Sequence, residues 1–166
     1  MRTQQPPSRS PSDAIGPDRV RPSVDSEITW LLHRAAQRLR SATGEAAEAR
    51  GVQLREYIIL SALDMDPTLT QIELGKTLGL DKTTLMNQLA KLERMGLIVR
   101  VADPRDGRAR IPRNTEAGSA LRAEVAEACE RVESEMLDGF GAEDVGVFRR
   151  MLIEIIGDTH DKGSCL

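Results

Sequence analysis

The sequence predicts a mainly α-helical protein with one small β-hairpin between its helices. Apolar residues recur at helical spacing in two long segments, residues 25–51 and 119–158, and in shorter segments between them. Between residues 97 and 111 they alternate instead, on either side of the turn-forming stretch Asp-Pro-Arg-Asp-Gly. Aromatic residues make up 2% of the chain, so the core must be built from aliphatic side chains.

The charge of the chain is unevenly distributed. The formal net charge is -3, which argues against a protein that coats nucleic acid along its whole surface. Residues 76–113 nevertheless contain nine Lys/Arg and four Asp/Glu, whereas residues 116–166 contain five and twelve. Blocks of opposite sign indicate one face for a polyanion and another face for a different role.

Other bulk features predict a cytoplasmic protein without a membrane partner. No apolar run approaches the roughly 18 residues that a membrane span requires, and the N-terminus lacks an apolar signal core. The cysteines, Cys129 and Cys165, have no zinc-ligand spacing and fit a reducing compartment. Cys129 lies beside an apolar helix stripe and is expected to be a buried small hydrophobe, while Cys165 in the tail could be oxidised.

The first helix is preceded by a proline-rich segment. Residues 1–24 hold five of the eight prolines and predict a disordered N-terminal arm, either solvated or in weak contact with phosphates. Residues 25–51 form a helix whose apolar stripe is typical of packing against another helix. The stripe comprises Ile28, Leu32, Ala35, Leu39, Ala42 and Ala46.

Capping residues set the bounds of three shorter helices. Thr70 and Glu73 form a capping box that starts the third helix, and Gly79 ends it. Asp81 caps the fourth helix, which Gly96 stops. The second helix is marked by apolar residues before an Asp-Pro turn, namely Leu54, Tyr57, Ile58 and Leu63.

A hairpin and two longer helices complete the chain up to a flexible tail at residues 159–166. The strands are expected at Leu97–Val101 and Arg108–Ile111, and Pro112 makes the hairpin a two-stranded edge feature with a short returning strand. The next helix starts at Asn114 or Thr115. It and the last helix carry apolar stripes, at Leu121, Val125, Ala128, Val132 and Met136, then at Val145, Phe148, Leu152 and Ile155.

Two short helices followed directly by a hairpin make a winged helix-turn-helix, whose second short helix enters the major groove of DNA. We therefore predict a winged helix-turn-helix DNA-binding domain at residues 52–118. The dimerisation helix at 25–51 and the C-terminal dimerisation helices at 119–158 flank it, because their apolar stripes have no partner inside the domain. An intramolecular bundle is the alternative.

The fourth helix has one apolar and one polar face. Leu85, Leu89 and Leu92 point inward, and Lys82 with the N-terminal N–H groups would hold phosphates. A merely solvated polar face is the alternative, but the arginine-rich hairpin downstream favours DNA. The polar face offers the residue types that bond base edges, namely Thr83, Thr84, Asn87, Gln88 and Lys91.

The hairpin carries the second set of candidate DNA contacts. Arg108 and Arg110 lie on one face of the returning strand, and Arg105 adds charge to the turn. An arginine at a wing tip can enter a narrow minor groove, and Asp106, two residues before Arg108, can orient its guanidinium. A surface ion-pair cluster is the alternative.

The segment LERMGLIVR, running into DPRDGRA with an Asp-x-Arg motif at 106–108, resembles the multiple-antibiotic-resistance regulator (MarR) family. The resemblance is close over residues 52–118 and extends in layout over 25–158. It implies a homodimeric transcription regulator in which Arg108 enters the minor groove and Asp106 braces it. The implied major-groove readers are Thr83, Thr84, Asn87 and Gln88.

The resemblance also implies a small anionic aromatic ligand between the dimer helices and the winged lobe. The candidate pocket residues are Trp30, His33, Arg34, Arg55 and Tyr57, each of which could instead belong to the core or the solvated surface. This chain departs from the family where Gly107 replaces a basic residue, and where Asn114-Thr115 replaces Leu-Thr after Pro112-Arg113.

Our leading hypothesis is a ligand-responsive repressor that binds a pseudo-palindromic operator, with helix 81–95 in the major groove and wing 100–111 in the minor groove. The alternative is a winged-helix protein-interaction module, which we would expect to present apolar residues on that helix. An enzyme is least favoured, because the sequence has no nucleophile–base arrangement or phosphate loop. No metal or cofactor is expected, since His33 and His160 are isolated.

Overall fold

The computed structural model describes residues 27–104, 106 and 109–157. The predictions for the N-terminal arm, the tail, Cys165, His160, Arg105, Gly107 and Arg108 lie outside these residues. The order of elements is α1 Glu27–Glu48, α2 Leu54–Met65, α3 Gln71–Thr77, α4 Lys82–Arg94, β1 Ile98–Ala102, β2 Arg110–Asn114, α5 Glu116–Leu137 and α6 Ala142–Ile156. The predicted winged helix-turn-helix fold with flanking helices is confirmed.

The chain divides into two compact units at Gln37 and Arg38, within α1. The described part of the first unit is the helical stretch 27–37. The second unit contains the rest of α1, the winged helix-turn-helix elements, α5 and α6. No helix in the described part of the chain is long and apolar enough to span a membrane.

Local side-chain bonds explain where α3 and α4 begin. Glu73 Oε2 accepts a 2.8 Å hydrogen bond from the Thr70 backbone N–H, and the Thr70 hydroxyl oxygen accepts one from Glu73 N–H. Asp81 Oδ1 accepts from the backbone N–H groups of Thr83 and Thr84 at 2.9 and 3.0 Å. Between the helices Gly79 adopts a φ of 62°, a conformation that side chains disfavour. The predicted capping box, N-cap and glycine turn are therefore confirmed.

The core of the second unit is aliphatic, as the composition requires. It is formed mainly by α2 and α4, with contributions from the start of the hairpin and from α5. Burial of this surface is the main favourable contribution to folding of the lobe. The buried cluster comprises Ala47, Val52, Ile59, Leu60, Leu63, Leu74, Leu85, Leu89, Leu92, Leu97, Ile98, Val125 and Cys129.

The returning strand of the hairpin is longer than the sequence predicted. β2 has five residues and pairs along its whole length with β1, from Ala102 opposite Arg110 to Ile98 opposite Asn114. The expectation of a short strand was wrong, because Pro112 is tolerated in a strand with one unpaired edge. The side chain of Pro112 is fully buried, so the residue also adds apolar contact.

Asn114 and Thr115 join the end of the hairpin to two helices. Asn114 Nδ2 donates to the carbonyl oxygen of Leu60 in α2 at 2.9 Å. The Thr115 hydroxyl donates to the Gly96 carbonyl oxygen at 2.8 Å and accepts from Gly118 N–H at 3.1 Å, which caps α5. Asn114 therefore fixes the end of the hairpin against α2 of the core, and Thr115 fixes it against α5.

Candidate nucleic-acid interface

The two faces of α4 lie as the sequence predicts. Leu85, Leu89 and Leu92 are buried, so the helix rests on the core along one stripe. Lys82, Thr83 and Asn87 are exposed within its first two turns. This exposed group offers a cation, a hydroxyl with a methyl group, and an amide, which together can contact a phosphate and base edges.

Two other predicted readers are less available to DNA, because Thr84 is bonded within the protein and Gln88 is half-buried. The Thr84 hydroxyl donates a 2.6 Å hydrogen bond to Asp81 Oδ2 and so completes the cap of α4. That bond is the main reason why the pKa of Asp81 lies below its ordinary value. Gln88 is half-buried, and its Oε1 has no hydrogen-bond partner among the described residues.

Lys91, predicted to contact DNA, is paired inside the protein. Its Nζ lies 2.5 Å from Oε1 of Glu56, a residue of α2 that is completely buried. Sequence reasoning missed Glu56, although it stands three residues after Gln53, the spacing of a capping box. The partnership with Lys91 has no sequence signal, because it joins residues far apart in the chain.

Several cations of the basic block remain unpaired. Arg100 pairs with Glu93 at 2.8 Å, so its charge is neutralised. Lys76 and Lys82, in contrast, form no ion pair within the described part of the chain. Both line a groove of about 710 Å³ between α3 and α4. Lys76 was not among the predicted site residues and joins Lys82 as a candidate phosphate contact.

The hairpin narrows to a short turn beyond its paired strands. Asp103 N–H donates to the Ala109 carbonyl oxygen at 3.2 Å, and Ala109 N–H donates to the Asp106 carbonyl oxygen at 2.9 Å. Asp106 and Arg110 are both exposed at this end of the hairpin. The roles predicted for Arg105 and Arg108 lie outside the described residues and stay predictions.

Comparison with known proteins finds a family whose sequence profile matches the central part of this chain. Residues 50–109 match the sequence profile of the MarR family. A MarR-family transcriptional regulator from Rhodococcus sp. RHA1 superimposes with a TM-score of 0.72 at 25% identity, covering 82% of this chain and 99% of that one. Both likenesses include the winged helix-turn-helix part of the chain.

Two further structures show what similar MarR-fold proteins bind. CouR from Rhodococcus jostii RHA1, bound to p-coumaroyl-CoA, has a TM-score of 0.69 and 28% identity, over 82% of this chain and 95% of that one. A mutant MarR from E. coli, complexed with operator DNA, has a TM-score of 0.70 and 20% identity, over 82% of this chain and 100% of that one. The latter likeness concerns the fold alone.

The candidate ligand residues fall into both structural units. In the first unit the Arg34 guanidinium lies 6.0 Å from the centroid of the Trp30 ring, and His33 is exposed. Arg34 Nη1 also donates to Gln37 Oε1 at 3.1 Å. In the second unit Arg55 and Tyr57 are half-buried, and Tyr57 packs against the apolar core.

Cys129 is buried on α5, as predicted. Its thiol lies 3.9 Å from the carbonyl oxygen of Thr43 in α1. Burial, followed by the nearby charge of Glu133, raises the pKa of Cys129. A raised pKa disfavours the reactive thiolate, which fits a packing role. Among the residues described, no three His, Cys, Asp or Glu side chains are grouped to hold a metal ion.

Proposed function

We propose that this chain is a homodimeric transcription regulator that binds a pseudo-palindromic operator, with helix 81–95 in the major groove and wing 100–111 in the minor groove. The observation that carries the proposal is the exposed polar group on α4, Thr83 and Asn87, on a helix whose opposite face is buried. An amide can bond an adenine edge through two hydrogen bonds, and a threonine methyl can contact thymine.

Two features near α4 support contact with a polyanion. The ammonium groups of Lys76 and Lys82, which have no ion-pair partner among the described residues, flank the groove beside the start of the helix. Phosphate contacts of this kind orient a protein on DNA without reading its sequence. A winged-helix protein-interaction module would be expected to present apolar residues on the exposed face of α4. The polar residues found on that face therefore favour DNA as the partner.

The apolar surface of α6 supports the homodimer. None of its residues is buried, and Phe148, Met151 and Ile155 are 40%, 57% and 65% exposed. Exposed apolar surface of this extent on one helix is a common mark of a protein–protein interface. A two-fold dimer would direct two lobes to half-sites one helical turn apart, about 34–36 Å.

The proposal is tested by selecting fragments of the source genome on the immobilised full-length protein. Bound fragments should share an inverted repeat, and fluorescence anisotropy should show binding that falls linearly with salt on logarithmic axes because counterions are released. A control duplex with the same composition and a scrambled order should bind much more weakly. Equal affinity for both duplexes, or no binding, would contradict the proposed function.

The wing is tested by substituting its predicted tip residue. Arg108→Ala should weaken operator binding by about an order of magnitude or more, because an arginine in a narrow minor groove meets the most negative potential. The control is Arg131→Ala on α5, where the arginine is paired with Glu127 in an exposed helix position. Wild-type affinity of Arg108→Ala in anisotropy titrations would contradict the wing assignment.

The ligand response is a separate part of the proposal. A small anionic aromatic ligand would find an aromatic ring and a guanidinium together at Trp30 and Arg34. The similar protein CouR binds p-coumaroyl-CoA, which serves as a probe. Because Trp30 is the one tryptophan of the chain, binding should change its emission and release operator DNA. Arg34→Gln should weaken both effects, and unchanged emission with retained DNA would contradict recognition of this probe.

A further inference from the structure

A buried ion pair connects α2 to α4. Glu56 is 0% exposed, and its Oε1 contacts Nζ of Lys91, whose side chain is 41% exposed. The second oxygen, Oε2, accepts a 2.8 Å hydrogen bond from the backbone N–H of Gln53, at the start of α2. One carboxylate therefore links the first turn of α2 to a side chain in the last turns of α4.

Stability alone is a poor explanation for this pair. A buried carboxylate loses its hydration, and the attraction of its partner seldom exceeds that loss, so apolar residues of similar volume often serve the fold equally well. Leu89 and Leu92, which flank Lys91 on α4, are fully buried leucines. An apolar side chain at position 56 would fit among these leucines. The carboxylate of Glu56, in contrast, is tolerated there only because Lys91 neutralises its charge.

The pair supplies direction that the leucine stripe lacks. Contacts between aliphatic side chains are non-directional, so Leu85, Leu89 and Leu92 set which face of α4 is buried but leave its exact rotation less defined. The ion pair adds a fixed point, because Glu56, whose Oε2 is held by a backbone N–H, places its Oε1 2.5 Å from Nζ of Lys91. Lys91 lies one helical turn after Asn87. Fixing Lys91 therefore fixes the direction in which Asn87 projects.

We propose that the Glu56–Lys91 pair positions α4 for DNA recognition, and that Lys91 is a positioning residue rather than a phosphate contact. The inference rests on the proposed function, because it states how the recognition face is oriented. It assigns a role to Glu56, a carboxylate that is 0% exposed to solvent. It also predicts that positions 56 and 91 affect discrimination between sequences more than overall affinity for DNA.

The first test compares Lys91→Met with the matched control Lys76→Met. Lys76→Met should lower affinity for operator and scrambled duplex alike and reduce the salt slope by about 0.9, as loss of one phosphate contact requires. Lys91→Met should lower operator affinity about 10-fold or more, with the scrambled-duplex affinity and the salt slope unchanged. The same behaviour in both variants, or wild-type operator binding of Lys91→Met, would overturn the proposal.

The second test separates positioning from stability. Lys91→Met leaves a buried charge without its partner and should lower the urea midpoint, whereas Glu56→Met/Lys91→Met removes both charges and should restore it. Operator affinity should stay low in the double variant and should be largely retained in Lys91→Arg, which keeps a cation for Glu56. Recovery of operator affinity together with stability in the double variant would show a purely structural role.

A third measurement does not depend on DNA. Amide hydrogen exchange over residues 82–94 should be faster in Glu56→Met/Lys91→Met than in the wild type at equal stability, with exchange over 116–137 unchanged. Unchanged exchange in α4 would overturn the positioning role. If the wild type selects no DNA, the proposed function fails, and this exchange measurement still decides whether the pair holds α4.

Discussion

At the scale of single residues, the proposed recognition of a DNA sequence depends most on Asn87. It is exposed in the second turn of α4, between two buried leucines, and its amide is free to meet a base edge. Asn87→Ala should lower operator affinity by about 10-fold and relax the preference for one base pair, since a bidentate contact discriminates by about 1–3 kcal/mol. Anisotropy with single-substitution duplexes measures this.

The control for Asn87 is Ser134→Ala, an exposed polar residue of α5. It should leave both the affinity and the base preference of the protein unchanged. If Asn87→Ala weakens all duplexes equally, the amide contacts the backbone instead of a base.

Asp81 makes the stability of the lobe depend on pH. The Thr84 hydroxyl lowers the pKa of Asp81 below 3.8, so the ionised carboxylate stabilises the fold above that pH. The stabilisation is lost as the pH falls through the lower folded value. Asp81→Ala should therefore lower the Tm at pH 7. The difference in Tm between this variant and the wild type should narrow below about pH 4. Calorimetry at several pH values measures this, and a constant difference down to pH 2 would contradict it.

At the scale of elements, Gly118 sets how closely α5 approaches the hairpin. A Cβ at this position would overlap the Leu97 carbonyl oxygen, a backbone atom that cannot move aside. Gly118→Ala should therefore displace the start of α5 and cost several kcal/mol, as overpacking against backbone does. Urea unfolding measures the loss.

Gly44 provides the matched control, because nothing lies within 4 Å of a Cβ placed there. It stands inside α1, where alanine is the better helix former. Gly44→Ala should stabilise the protein by about 0.5–1 kcal/mol. A similar effect of both substitutions would show that the close approach at Gly118 carries no cost.

Elements whose signals are local in the chain were predictable from the sequence. The capping box at Thr70, the cap at Asp81 and the turn at Gly79 depend on residues within one helical turn, and each is confirmed. The length of β2 was not predictable in this way, because a strand tolerates Pro112 only where one of its edges is unpaired, and this depends on the number of strands in the sheet.

The candidate site was likewise predictable where its signals are local in the chain. The periodicity of α4 separates its leucines from its polar residues, so the exposure of Thr83 and Asn87 follows from the sequence. Periodicity assigns Lys91 to the polar face as well, but a long side chain can turn back to a buried partner. Only the position of α2 shows that Glu56 is that partner.

At the scale of the whole molecule, the apolar surface of α6 predicts dimerisation. Ile155→Glu, at a position that is 65% exposed, should shift the protein towards the monomer, because a charge placed in an apolar interface loses its hydration. Sedimentation velocity measures the oligomeric state, and operator affinity should fall with it. The control is the neighbouring Glu154→Gln, which removes no apolar surface. Unchanged sedimentation of Ile155→Glu would contradict a role of this face in the dimer.

The bonds around Thr115 have a mechanical consequence. Thr115 N–H donates to the Leu97 carbonyl oxygen at 3.0 Å, while its hydroxyl joins Gly96 to Gly118. The base of the hairpin and the first turn of α5 therefore form one rigid joint. We therefore expect a rotation of α5 to carry the root of the hairpin with it, so that a change of shape in this helix is passed to the wing through the backbone at Thr115.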